Sequence, residues 1–260
     1  MRDILEDAEA HREDGYGRAQ KHQKQQLPKR FYKSVDVSAV EGLFQIELDG
    51  KPIKTPGKKT VRVPNAALAK SLAEEWEAQV EEIDPSKMPL TRLVNTSIER
   101  GDETIDAVKE EIVSFVGNDL LVYRADSPQE LVDLQEKEWG GALKSFEDRY
   151  DLSFSVITGI MHQEQPKEVA LRMNEVLATY GVMSTFATMS LTSITGSGVL
   201  SVGLAEGLWD AEKVWELAYL DENYQAQQWG DDAEALRVRA FKRTEFDAAL
   251  TVLNSVGRSD

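Results

Sequence analysis

A chain of 260 residues with 46 acidic against 30 basic side chains carries a formal net charge of −16, contains no cysteine and has three histidines. Without thiols there is no disulfide framework, thiolate nucleophile, Cys-built zinc site or iron–sulfur cluster, and the acid excess opposes a phosphate backbone with no Lys/Arg cluster to reverse it. No stretch reaches the roughly 18 apolar residues of a membrane span, and the opening Met1-Arg2-Asp3-Ile4-Leu5-Glu6-Asp7 has neither a secretory h-region nor the acid-poor character of a transit peptide.

Residues 1–29 are mostly charged or Gln and hold too few large apolar side chains to offset chain entropy, so they are expected to be a disordered or loosely docked arm. The basic run from Lys21 to Arg30 reads as a solvated stretch. From Phe31 the pattern turns to strands. Phe44, Ile46 and Leu48 alternate with Gln45, Glu47 and Asp49, Asp49-Gly50 supplies a turn, and Val61 and Val63 flank Arg62 before Pro64. This is the period of an antiparallel meander with one buried face. Asn65 is then a good N-cap for a helix with the stripe Leu68, Leu72, Trp76 and Val80, and with Glu74, Glu75, Glu77, Glu81 and Glu82 on its other faces.

A short helix is expected over 90–98, a break at Gly101-Asp102, and a second helix from Thr104 to Val116. Leu120 to Tyr123 reads as a strand or a helix end. Pro128 opens a long amphipathic helix with the face Leu131, Leu134, Trp139, Leu143, Phe146, Tyr150, and 154–157 reads as one more strand. Beyond Pro166 the pattern is helical. Val169, Met173, Val176 and Tyr180 line one helix, stopped by Gly181. The segments 183–194 and 199–208 are apolar all round, as suits the centre of a bundle. Residues 209–228 and 232–253 form the last two helices. The expected fold is α+β: a small β-rich N-terminal domain, an antiparallel meander with helices over 30–90, followed by a larger all-α domain over 91–260. The boundary falls between Pro64 and Pro166, with the strands near 119–124 and 154–157 able to join the N-terminal domain.

Tests for chemistry fail one by one. Gly196-Ser197-Gly198 lacks the third glycine of a dinucleotide loop and follows a helix, not a strand, so it reads as a helix–helix turn. Gly57-Lys58-Lys59-Thr60 has Pro52 where a Walker A loop needs its first glycine. His11 and His22 lie in the arm, His162 stands alone in a polar loop, and no H-E-x-x-H or G-x-S-x-G is present. No metal site and no cofactor are expected. A pair of carboxylates working as acid and base stays open among so many acids.

One acid stands apart. If 209–228 is one helix, Trp215, Ala218 and Glu222 share a face that continues to Gln225 and Trp229. Glu222 then lies on the apolar stripe, where a carboxylate must be paired or hydrogen-bonded. It serves either an internal salt bridge, to Arg237 or Arg239, or a patch that meets a basic or amide group of a partner.

Several stretches in order are similar to a known family: Arg30-Phe31-Tyr32-Lys33, Leu48-Asp49-Gly50-Lys51-Pro52-Ile53-Lys54-Thr55-Pro56, Leu72-Ala73-Glu74-Glu75-Trp76-Glu77-Ala78-Gln79, Met88-Pro89-Leu90-Thr91, Asp119-Leu120-Leu121-Val122-Tyr123-Arg124-Ala125, Gln135 with Trp139, and Glu222-Asn223-Tyr224-Gln225 with Trp229-Gly230. This series resembles the ATP12-type assembly chaperones of the F1-ATPase α subunit, found in mitochondria and alphaproteobacteria, over about Arg30 to Arg237. The resemblance implies a non-enzymatic chaperone that holds the free α subunit until the β subunit replaces it, and a β-containing N-terminal domain joined to a helical one. It implies a functional acid in the helical part, carried here to Glu222, with Asp231 and Asp232 as further candidates and Gln225 and Trp229 beside them in the partner-binding set. The acidic N-terminus points to a bacterial, cytoplasmic member, monomeric when free. The second reading is a carboxylate-dependent hydrolase with its cleft between the two domains. An apolar client surface on a protein of charge −16 fits the first, because the charge opposes self-association.

Overall fold

A computed structural model describes residues 27–159, 163–230, 232–257 and 259. The arm before Leu27, all three histidines and Asp231 lie outside the described residues. The fold is α+β: an N-terminal antiparallel sheet, then helices for most of the remaining chain.

The sheet is built on its second strand. β1 (Val35–Val40) pairs antiparallel with β2 (Leu43–Leu48), in register from Val35 opposite Leu48 to Val40 opposite Leu43. β2 also pairs with β3 (Lys51–Pro52) and β4 (Arg62–Val63). Both tight turns, Glu41-Gly42 and Asp49-Gly50, place two successive residues at positive φ, the geometry that matches strand twist in a two-residue hairpin. Ile46 and Leu48 are buried as their alternation requires. Gln45 is buried as well, against expectation; its Nε2 donates to Glu47 Oε1 at 2.8 Å.

α1 (Ala66–Glu77) starts where the cap chemistry says: Asn65 Oδ1 accepts from Leu68 N at 2.8 Å. It ends at Glu77, so Val80 falls outside the helix and is 80% exposed. Glu75, expected on a solvent face, turns inward. Its two carboxylate oxygens accept from Leu90 N and Thr91 N, each at 2.8 Å. It thereby satisfies free amides at the start of the next helix, at the positive end of that helix's dipole, although burial pushes its carboxyl above the usual range.

That helix, α2 (Pro89–Gly117), is one unbroken run of 29 residues, about 43 Å long at 1.5 Å per residue. The expected break at Gly101 does not occur. A Cβ there would lie 2.1 Å from Val182 Cγ1, so Gly101 serves close packing and not chain reversal. A short 3-10 turn (Leu120–Val122) leads into β5 (Tyr123–Arg124), which pairs in parallel with β6 (Ile157–Thr158) in a two-stranded sheet of their own. Between them run α3 (Gln129–Gln135), a π-turn (Glu136–Gly140) and α4 (Gly141–Tyr150) as one helical path. The apolar series 131, 134, 139, 143, 146, 150 contains a single step of five, and the π-turn falls on it, keeping Trp139 in line with Leu143 and Phe146. All three are buried.

α5 (Lys167–Ala178) precedes α6 (Val182–Thr195) and α7 (Gly198–Ala205), the two apolar helices at the centre. α6 packs against α2, α7 and the last helix. Its buried hydroxyls are not orphaned: Thr188, Thr192 and Thr195 each donate to the carbonyl four residues back, at 2.8 Å, which is how Ser and Thr are tolerated inside a helix bundle. The expected single helix over 209–228 is two, α8 (Ala211–Ala218) and α9 (Leu220–Trp229), with Tyr219 off helical geometry between them. α10 (Ala233–Val256) closes the fold. Its second half supplies Phe246, Ala249, Val252 and Leu253 to a core continuous with Ile46, Leu68 and Leu72 of the N-terminal part. Asn65 Nδ2 donates to Ser255 O, tying the start of α1 to the end of α10.

Candidate functional site

The break at Tyr219 decides where Glu222 points. In one continuous helix Glu222 would share the face of Trp215 and Ala218. Instead α9 starts afresh, and Glu222 sits exposed in its first turn. The internal salt bridge is also absent. Among the described residues Glu222 has no ion pair: Arg237 pairs with Glu234, and Arg239 Nη1 donates to Asn223 Oδ1 at 2.6 Å. The reading of Glu222 as a buried, paired carboxylate is corrected on both counts, because the helix restarts before the stripe reaches it.

The break is held from beneath by residues of the sequence motifs. The Trp139 indole N–H donates to Leu217 O at 2.8 Å, just before the break. Gln135 Nε2 donates to Asp221 Oδ1 at 2.8 Å, while Gln135 Oε1 accepts from Ala125 N. Arg124, buried, stacks over Trp139 at 5.5 Å and donates to Gln135 O; burial lowers the pKa of its guanidinium, with Glu136 and Asp221 opposing that shift. One level deeper, fully buried Asp119 accepts from Leu121 N, Ser197 Oγ and Val199 N at 3.0, 2.7 and 2.9 Å. It joins the turn after α2 to the start of α7. Desolvation lifts its carboxyl to about 6 in spite of these donors.

Above this scaffold α9 and the first half of α10 enclose an open cleft of ≈ 550 Å³, and Glu222, Gln225, Trp229 and Asp232 all line it. Four of the five partner-binding residues expected from sequence are thus brought together; the fifth, Asp231, lies outside the described residues. Residues 233–238 of α10 are all exposed. Trp229 is 80% exposed, and Leu236, Val238 and Phe241 are about half exposed. These side chains leave apolar surface uncovered along the cleft and the helix beside it.

Sequence reasoning missed Tyr219, Lys242 and Leu236, and named Arg239 only as a salt-bridge partner for Glu222. Tyr219 forms the floor where this cleft meets a neighbouring one of ≈ 430 Å³; both share Tyr219, Glu222, Gln225 and Lys242. Its ring lies under two cations, Arg239 at 5.0 Å and Lys242 at 5.7 Å. Burial, reinforced by Glu222 and opposed by Arg239, pushes its hydroxyl up to about 12, so it stays protonated. The missed signal was the i, i+3 pair Arg239 and Lys242, legible only once the break had turned Tyr219 toward α10. Among the described residues no cluster of His, Asp and Glu could hold a metal ion, and no helix is long and apolar enough to cross a membrane. The arrangement offers binding: an apolar cleft edged by an unpaired carboxylate and two cations.

Comparison with known proteins follows the same line. A family model described as "ATP12 chaperone protein" matches residues 29–147. The mitochondrial protein atp12 of Schizosaccharomyces pombe is 26% identical over 219 residues, covering 80% of this chain and 75% of that protein. The crystal structure of Atp12 from Paracoccus denitrificans superposes with a TM-score of 0.78 at 34% identity, over 86% of this chain and 97% of the other. The crystal structure of the Atu1473 protein of Agrobacterium tumefaciens gives a TM-score of 0.85 at 43% identity, over 92% and 90%.

Proposed function

The chain belongs to the ATP12 chaperone family, and from that premise we propose that it assists assembly of the F1 part of ATP synthase by binding the free α subunit through the cleft between α9 and α10. The family is one of chaperones, not enzymes, so the hydrolase reading is dropped. The observation that carries the site is the coincidence, around one cleft, of a Trp229 side chain 80% exposed, the half-exposed Leu236 and Val238 of α10, and Glu222, which has no ion pair among the described residues. A subunit chaperone has to offer an apolar surface in place of the missing neighbour, and large aromatic side chains dominate the energetics of such interfaces. Glu222 would meet a basic or amide group of the client at the rim. The net charge of −16 opposes self-association through the same surface, in keeping with a protein that is monomeric in the cytoplasm until it meets its client.

Two variants test this against purified α subunit. Trp229→Ala combined with Leu236→Ala removes two exposed side chains, so the melting temperature should stay within about 2 °C of wild type, whereas affinity should fall about 30-fold, or ~2 kcal/mol. Glu222→Lys should weaken binding tenfold or more at low salt and less at high salt. Wild-type chain that does not bind α, or a double variant that binds as wild type does, contradicts the proposal.

A further inference from the structure

Tyr219 is only 5% exposed, and its hydroxyl is one of the few buried polar groups without a hydrogen-bond partner among the described residues. An unpaired buried hydroxyl is costly, and Tyr219 lines both clefts, beside Glu222, Gln225 and Lys242. A group bound there would stand beside both Tyr219, whose O–H is a donor, and Glu222, whose carboxylate is an acceptor, since the two residues line the same clefts.

Charge narrows what that group can be. A carboxylate approaching the hydroxyl would face Glu222, with Asp221 also lining the second cleft. An ammonium or guanidinium would face Lys242 and Arg239, both stacked on the Tyr219 ring. Either ion meets a like charge as well as an opposite one. A neutral group with an acceptor and a donor side by side meets neither penalty. A peptide amide is such a group: its carbonyl can accept from Tyr219 and its N–H can donate to Glu222 or to the Gln225 carbonyl. The apolar cleft alongside, bounded by Trp229 and Leu236, would take the adjoining side chain.

We propose that Tyr219 and Glu222 together seat a main-chain amide of an extended client segment whose apolar side chain enters the α9–α10 cleft. This deepens the proposed function and rests on it. Recognition by main-chain hydrogen bonds with a side-chain pocket for specificity is a general mode of peptide binding.

The experiment compares full-length wild type and Tyr219→Phe for α-subunit affinity at 0.05 and 0.5 M salt, together with their melting temperatures. Phenylalanine keeps the ring and its cation contacts and removes only the O–H. Affinity should drop about tenfold, by the same factor at both salt concentrations because the lost contact is neutral. The melting temperature should stay level or rise, because the hydroxyl has no partner among the described residues of the free protein. A variant that binds as wild type does overturns the inference and leaves the proposed function standing. A deficit that shrinks in high salt overturns it in favour of an ionic ligand group, and a melting temperature several degrees lower assigns the hydroxyl a structural role instead. Wild type that fails to bind α removes the proposed function and this inference with it.

Discussion

Asp119→Ala is expected to lower the melting temperature by about 6–12 °C, corresponding to ~3 kcal/mol at the ~2–4 °C per kcal/mol typical of a chain this size. The carboxylate is fully buried and accepts from Leu121 N, Ser197 Oγ and Val199 N. Removing it leaves these donors in the core without an acceptor, at about 1–3 kcal/mol each and less than additively. Asparagine rescues poorly, because its NH₂ would confront the amide of Val199 or of Leu121. The same residue imposes a pH signature. Its carboxyl in the folded state is lifted to about 6 from an ordinary 3.8, so between about pH 4 and 6 the folded state holds a proton that the unfolded state has released. Its contribution to stability is therefore largest at low pH and is lost as pH rises through 6. Depressed carboxylates elsewhere, such as Glu212 beside Arg243, work the other way, so the difference between proteins is what reports Asp119. In urea unfolding, the deficit of Asp119→Ala should be about 1 kcal/mol larger at pH 5 than at pH 7. Equal deficits at the two values would contradict the assignment.

Gly198→Val is expected to abolish the folded state, and Gly198→Ala to cost about 3 kcal/mol or more. A Cβ at Gly198 would lie 2.6 Å from Val116 Cγ2, 2.9 Å from Val116 N and 3.1 Å from Ile112 O. The last two are backbone of α2 and cannot rotate aside, so α7 would have to move off α2 and break dense packing. Gly196, two residues earlier, is the control. It ends α6 in the left-handed region at φ 71°, and a Cβ there meets nothing within 4 Å. Gly196→Ala should cost only the backbone strain, about 1 kcal/mol. Circular dichroism melts of the three variants check the order; a Gly198→Ala chain as stable as Gly196→Ala would show that the α2–α7 contact is looser than described.

The amphipathic periods exposed the fold class, the meander and most helices, because alternation in 44–48 and the stripe from Leu68 to Leu72 are local patterns. What could not be read was the role of particular residues in tertiary contact. Gly101 looks like a helix breaker and is a packing glycine, since only the fold reveals Val182 against it. Glu75 looks solvent-facing on its own helix and caps the next one. The five-residue step to Trp139 was visible in the sequence, but only a π-turn makes sense of it. At the site, Glu222 was singled out on the assumption of an unbroken helix. The residue is central to the cleft for the opposite reason: the helix breaks at Tyr219 and leaves Glu222 exposed and unpaired. Trp229, Gln225 and Asp232 follow it into the cleft because they share α9 or the turn after it, whereas Lys242 comes from the next helix and had no local signal, and Arg239, expected as a partner of Glu222, lies over the Tyr219 ring instead.

The central claim, that this protein shields the free α subunit of F1 through the α9–α10 cleft, is tested most directly by co-expressing that subunit alone with the full-length chain and separating the soluble fraction by size exclusion. The account predicts a soluble complex in which the two chains co-elute, with α passing into the aggregated fraction when the partner chain carries Trp229→Ala and Leu236→Ala. An α subunit that stays aggregated beside the wild-type chain, or that elutes apart from it, would contradict the account.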